Sequence, residues 1–493
     1  MNENLTFYGQ LQHNASMCPD KVAIIYEKKN IKWLDLYNHV NTFAHYFYDV
    51  GIANGDKVVL SSNLSKLDFV VSLLGLSAIG SVIIPADDNI AFIVNTSEAK
   101  AIIGNNHDYG IENIKKIVVI KTDDILESKN NFKKKTQFKE NELAMLLYTS
   151  GTTTSPKGVM LSYGSLFSTV KCMNRFMDIT SDIVEYIVAP LNHAFGLGRF
   201  RVILAVAGTM IFDDGRFNPA NAILAIKNNS CNAISSVSSG FLLLMNHFSS
   251  YLMELGGSIR WIEVGSMPMD ISNKKKLLTY FPKAKIVMNY GMTEAMRSTM
   301  LDLRVDQNKL NTVGRALPGN EVLIINEEGV ELPSNKKGEI AVKGPHLAMG
   351  YLHLDRLWKR QMHKGFYKTK DFGSKDNNGF VTFLGRKDDM INIDGFKFSP
   401  IEIENKLKNI SNVTDLCILG ISDLSSNCYK GEIPVLCIEG DKSMDHAMQS
   451  MLSNSNLNPK YIYNFDTFPR TYNGKIKRDK LKKMLPRFRN DVI

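Results

Sequence analysis

Several things this sequence lacks narrow its identity. Its six cysteines, scattered from Cys18 to Cys437, contain no CxxC pair, so neither a zinc knuckle nor a disulfide framework is expected and the thiols read as reduced and structural. No apolar run is long enough to cross a bilayer, because the stretch from Phe69 to Pro85 is broken by Ser72, Ser77, Gly80 and Ser81. The start, with Asn2, Glu3 and Asn4, has neither the basic residues nor the apolar core of a secretory signal, and a cytoplasmic location is the expectation. Repeats and low-complexity tracts are also missing.

What is present is a chain of 493 residues with 44% hydrophobic content, too long for one ordinary core, so at least two domains are expected. The 59 basic residues outnumber the 50 acidic ones, for a formal charge of +9. That balance suits ATP or pyrophosphate as well as it suits nucleic acid. The basic runs Lys133 to Lys135, Lys274 to Lys276 and Lys475 to Lys483 read as solvated faces, and no nucleic-acid partner is expected.

Strand-like and helical patterns alternate through the first third: Lys57 to Ser61, then Leu67 to Ala78, then Ser81 to Pro85. Further strand signals at Ala101 to Gly104, Lys116 to Lys121 and Leu143 to Thr149 extend this βαβ grammar into a large α/β body with mainly parallel, buried strands. Residues 129–139 read as a polar loop. After Gly314 the texture changes to short, glycine-punctuated strands, a β-rich subdomain. Beyond Asp388, a helix from Ile401 to Lys408 and strands at Thr414 to Ile421 and Ile433 to Glu439 predict a small α+β domain. The expected division is therefore 1–387 and 388–493.

The most informative stretch follows the strand ending at Thr149. Ser150, Gly151, Thr152, Thr153, Thr154, Ser155 and Pro156 lead to Lys157 and Gly158, bringing hydroxyls, backbone donors and one cation to a single loop suited to a polyphosphate. It is not a Walker loop, since Pro156 stands where the second glycine belongs.

This loop, YTSGTTTSPKG, resembles the signature of the adenylate-forming superfamily: acyl-CoA synthetases, adenylation domains and firefly luciferase. The resemblance continues in order down nearly the whole chain. Asn289, Tyr290, Gly291, Met292, Thr293 and Glu294 match a segment that in the family sets an aromatic ring on adenine, a threonine on the α-phosphate and a glutamate on Mg²⁺. Gly338, Glu339, Gly344, Gly350 and Tyr351 resemble a block read as scaffold. Asp371, in YKTKD, is implied to hold the ribose hydroxyls, Arg386 to contact ribose or phosphate, and Asp388 to be a hinge. Pro469 to Lys475 match a segment whose lysine reaches the reacting carboxylate and α-phosphate. His193, Phe195, Ser238, Gly265 and Ser266 fall where the family lines its acyl pocket and thiol tunnel.

The resemblance implies an ATP- and Mg²⁺-dependent enzyme. It activates a carboxylic acid as its acyl-adenylate and passes the acyl group to coenzyme A or to the phosphopantetheine of a carrier protein. Lys157 and Lys475 suit the first step, in which two anions must be brought together. The second step requires Lys475 to withdraw by rotation about Asp388. Any carrier is expected to be a separate protein. Three positions depart from the family pattern: Thr154 and Lys370 replace glycines, and Asn392 replaces a lysine. The FDxS-like segment of amino-acid-activating relatives is missing near Asn192 to Gly196, which favours an otherwise uncharged acid. A luciferase-like oxidoreductase has no feature here to single it out. A non-catalytic nucleotide-binding relative would be expected to have lost Glu294, Asp371 or Lys475.

Overall fold

The computed structural model describes residues 6–87, 89–105, 118–120, 138–149, 156–213, 218–228, 230–265, 268–393, 396–410, 415–422, 432–440, 452, 459, 461–471 and 474–485. Ser150 to Thr154, Ser266 and most of the expected 129–139 loop lie outside them.

Two large sheets make the body. In the nine-stranded sheet, Val22–Tyr26, Thr209–Phe212, Val184–Ile187, Ala233–Val237, Trp261–Gly265 and Lys285–Met292 run parallel in that spatial order. Antiparallel strands finish both edges. In the seven-stranded sheet, Lys57–Ser61, Val82–Ala86, Ala101–Ile103, Val118–Ile120 and Leu143–Thr149 are parallel, and Lys157–Ser162 closes an antiparallel hairpin on the last. The expected parallel body is therefore present, with antiparallel edges added.

The apolar run that stops short of a membrane span is the buried helix Lys66–Ile79 followed by a central strand. Ser65 caps the helix by accepting from the Asp68 amide, worth about 1 kcal/mol. Gly80 ends it at φ 84°, a left-handed conformation that glycine adopts without a Cβ penalty. All residues from Phe69 to Ile79 are buried, which a single amphipathic face could not do; the helix is wrapped on all sides by protein. Among the described residues, no helix is long and apolar enough to cross a membrane.

A five-stranded antiparallel sheet built on Glu321–Ile325, Lys337–Lys343, Phe366–Lys375 and Val381–Arg386 forms the β-rich part. Beyond it come the hairpin Ile391–Ile393 with Phe396–Phe398, the helix Pro400–Ile410, and a sheet of Asp415–Ser422, Glu432–Glu439 and Tyr461–Phe465. These carry their own core of Leu407, Leu416, Ile418, Leu436 and Ile438. The fold is the expected large α/β body with a small α+β C-terminal part.

Candidate active site

Thr149 ends its strand opposite Lys157 on the neighbouring strand. The Lys157 ammonium sits 5.6 Å from the centre of the Tyr351 ring, a cation–π contact. Tyr351 gives its hydroxyl proton to Glu294 Oε1 at 2.6 Å and shares a 2.9 Å hydrogen bond with the Tyr367 hydroxyl. Burial, and then the Glu294 charge, push the Tyr351 pKa well above the usual phenol value, so it is a firm donor.

Glu294 owes its position to a tight hairpin. Lys285–Met292 and Ala295–Asp302 pair antiparallel, with Met292 opposite Ala295, leaving Thr293 and Glu294 as the turn. The register slips between Tyr290 and Met292, at Gly291. A Cβ on Gly291 would lie 2.4 Å from the Arg297 amide nitrogen, so the close approach of the two strands needs glycine there.

Tyr290, on the same strand, donates to Asp371 Oδ2 at 2.7 Å, and its ring lies 6.0 Å from that of Phe383. Arg386 binds the other oxygen, Oδ1, at 2.8 Å because Arg386 and Asp371 are register partners on adjacent strands. Asp371 is only 4% exposed. Burial raises its pKa, while Arg386, Tyr290 and Lys475 oppose the rise. Lys370, standing where the family has glycine, occupies the left-handed region at φ 61°; its amide donates to Glu339 and its ammonium lies 4.0 Å from Asp388.

Lys475 reaches this cluster from the C-terminal part. Gly474, at φ 81°, closes a turn in which its amide donates to the Thr471 carbonyl and the Lys475 amide to the Thr471 hydroxyl. Arg470 braces the turn by binding the Gly474 carbonyl at 3.1 Å and Asp415 at 3.0 Å. The Lys475 side chain keeps contact with solvent, yet enough protein crowds it to lower its pKa. Arg386 adds to the lowering, and Asp371 and Asp389 resist it.

The residues expected on the acyl side lie at the carboxyl ends of the parallel strands, where such sheets bind ligands. His193 begins the helix Ala194–Ala205, with Nε2 4.0 Å from Asp87; burial lowers its pKa, so it is neutral at pH 7. Ser238 starts the helix Ser238–His247, and Gly265 ends its strand. Asn289, expected on the nucleotide side, points its amide to Glu263 at 2.6 Å. A separate cleft of about 900 Å³ along the helix Tyr163–Met177, lined by Ser165, Lys171, Cys172 and Arg175, contains none of these residues.

Lys157, Glu294, Asp371, Arg386 and Lys475 thus converge from widely separated segments. A family model described as "AMP-binding enzyme" matches residues 11–352. The chain belongs to the AMP-binding enzyme family. It is 26% identical to acyl-CoA synthetase 7 of Caenorhabditis elegans, covering 94% of this chain and 93% of that protein. Its identity to the 2-succinylbenzoate–CoA ligase of Bacillus pumilus is 27%, with coverage of 96% and 97%. ATP-bound MatB from Rhodopseudomonas palustris superposes with a TM-score of 0.87 at 25% identity, over 98% of this chain and 99% of that one. The likeness therefore runs along the whole AMP-binding enzyme, C-terminal part included.

Tyr351 was missed as a site residue by sequence reasoning. It lies 57 positions from Glu294, and its GY block reads as scaffold. Glu263 and Arg297 were missed too, as neither belongs to a recognisable motif.

Proposed function

We propose that this AMP-binding enzyme is an AMP-forming acid–thiol ligase. The carboxylate of an organic acid attacks the α-phosphorus of ATP and pyrophosphate leaves; a thiol then attacks the acyl carbonyl and AMP leaves. The observation that carries this reading is the convergence of two lysines, a buried aspartate and a tyrosine-held glutamate through one connected set of contacts. Coenzyme A is the favoured thiol, since full-length relatives bear the names of CoA ligases. The phosphopantetheine of a carrier protein is the alternative, and the basic tail around Lys475 would suit an acidic carrier. We place the activity in the cytoplasm and assign it no nucleic-acid partner.

In this reading Thr149, Lys157 and the loop residues Ser150, Gly151, Thr152, Thr153 and Thr154 hold the phosphates. Tyr290 and Gly291 frame the adenine, Asp371 and Arg386 take the ribose, and Thr293 contacts the α-phosphate. Asp371 keeps acceptor capacity for this task, because a carboxylate offers about four lone-pair sites and only two are used by Tyr290 and Arg386.

Glu294 fits Mg²⁺. One oxygen is held by Tyr351, which leaves the other to face a hard cation, and Mg²⁺ is ordinarily bound by one or two carboxylates together with substrate phosphates. When bound, it neutralises charge on the triphosphate.

Lys475 steadies the two anions as they meet, which removes the need for a general base. It then stands in the thiol's way, so we assign 388–493 as a mobile domain turning at Asp388. Lys475→Ala tests both assignments. It is expected to suppress carboxylate-dependent exchange of labelled pyrophosphate into ATP while sparing thiolysis of supplied acyl-adenylate; equal loss of both halves would refute the rotation.

A further inference from the structure

We propose that the acid carries a second anionic group a few atoms from the carboxylate that is activated, and that Arg297 selects it. This deepens the ligase reading and rests on it.

The Phe195 ring lies directly on Gly265, where a Cβ would be 2.4 Å from the ring and 2.9 Å from Asn289 Nδ2. Immediately beyond is a guanidinium, with Arg297 Cζ 5.5 Å from the Phe195 ring centre. Arg297 donates from Nε to Glu263 Oε1 at 2.9 Å and from Nη2 to the Phe195 carbonyl at 3.2 Å and Glu263 Oε2 at 3.4 Å. Its Nη1 donates to none of the described residues.

Two features hold the arginine there at a cost. Its backbone sits at φ 56°, in the left-handed region that a non-glycine residue adopts only when its surroundings compel it. Gly198, on the helix above, leaves the space it fills; a Cβ there would stand 2.3 Å from Nη1.

The charges around it do not balance. Arg199 binds Glu185 through Nε at 2.9 Å and Glu263 through Nη1 at 3.2 Å, so Arg199, Arg297, Glu185 and Glu263 form a closed set of two cations and two anions. Arg201, one turn beyond Gly198, is a third cation. It is 1% exposed, and among the described residues its Nη1 meets only the Leu166 carbonyl at 3.0 Å while its Nε and Nη2 have no partner. Burial first, and then Arg297, bring its pKa down to about 9, so it is still charged at neutral pH. Ser235, the register partner of Glu263 on the adjacent strand, adds a buried hydroxyl with no partner among the described residues.

A buried cation without a counter-ion is costly, and an incoming anion would relieve it. An ammonium on the acid would be repelled by the same field. A long alkyl chain extending toward Arg297 would set methylenes among ions, which no apolar gain offsets. The missing FDxS-like segment had pointed to an otherwise uncharged acid; the charge count replaces that with a short acid bearing a second negative group.

The test is pyrophosphate–ATP exchange with acids paired by length: propionate with malonate, butyrate with succinate, and decanoate as the long control. The expected result is at least a tenfold higher kcat/KM for the dianion of each pair and no exchange above background with decanoate. In Arg297→Lys the KM for the dianion should rise at least tenfold with kcat changed much less. Because removing the arginine leaves Glu263 unpaired, Arg297→Met is paired with Glu263→Gln to preserve folding, checked by thermal melting; this double variant should lose the preference. Exchange supported equally or better by monocarboxylates overturns the inference and leaves the ligase reading standing. Exchange with no acid in either set overturns both.

Discussion

Removing one oxygen atom from Tyr351 should cripple the use of MgATP without disturbing the fold. In Tyr351→Phe the ring keeps its edge contact with Trp358, 5.2 Å between centres, and its place beneath the Lys157 ammonium. What disappears is the 2.6 Å bond to Glu294 and the 2.9 Å bond to Tyr367. A hydrogen bond to a charged group contributes about 1.5–3 kcal/mol. Glu294 is half-buried, so water can replace part of that, and the lower end of the range, about 1.5–2 kcal/mol, is the better guide. At about 1.4 kcal/mol per factor of ten, kcat/KM for MgATP should fall by roughly 10- to 30-fold. Most of the loss should fall on exchange measured at subsaturating Mg²⁺, because a freely rotating Glu294 must be reoriented each time. The assay is pyrophosphate–ATP exchange across an ATP and Mg²⁺ grid, with a thermal melt to show that the variant is folded. A folded Tyr351→Phe protein with kcat/KM within twofold of the parent would refute the claim that Tyr351 aims Glu294.

Two further predictions come from shifted titrations. Lys475 must be protonated to steady the anions, and its pKa is depressed, chiefly by burial. Exchange in kcat/KM should therefore decline as pH rises through that lowered value, at a pH where an ordinary lysine would still be charged; Lys475→Arg should move the alkaline limb upward or abolish it. His346 is 1% exposed, and burial brings its pKa down to about 4, with its Nε2 bonded to the Ser298 hydroxyl at 3.0 Å. The unfolded chain binds this proton first, near pH 6.5, so stability should be lost as pH falls from there toward 4, by up to about 3 kcal/mol. Urea unfolding at several pH values measures the slope, and His346→Gln should flatten it.

Much of the fold was legible because its signals are local. Strands such as Lys57–Ser61 and Val82–Ala86 are short apolar runs bounded by turn residues, and the helix between them carries its cap and its terminal glycine in sequence. The residues proposed to hold the nucleotide stand out in the sequence through the order of their motifs. The contacts that define the acyl side do not, because they are long-range: Arg199 finds Glu263 at a separation of 64 residues, and Arg297 finds Glu263 at 34. Charged residues on a helix ordinarily face water, so nothing in the pattern of Ala194–Ala205 marks Arg199 and Arg201 as interior. Asn289 illustrates the same limit. Its position beside Tyr290 suggested the nucleotide, yet alternation along a strand turns neighbouring side chains to opposite faces, Asn289 toward Glu263 and Tyr290 toward Asp371. Lys370, standing where the family pattern has glycine, takes up a left-handed φ of 61° itself.

The most direct test of the central claim is whether the purified protein, given ATP, Mg²⁺ and an acid but no thiol, returns labelled pyrophosphate into ATP and accumulates an acyl-adenylate detectable by mass. The account predicts exchange that depends strictly on the acid and disappears in Lys475→Ala. Exchange that is absent with every acid offered, or that proceeds unchanged without one, would contradict it.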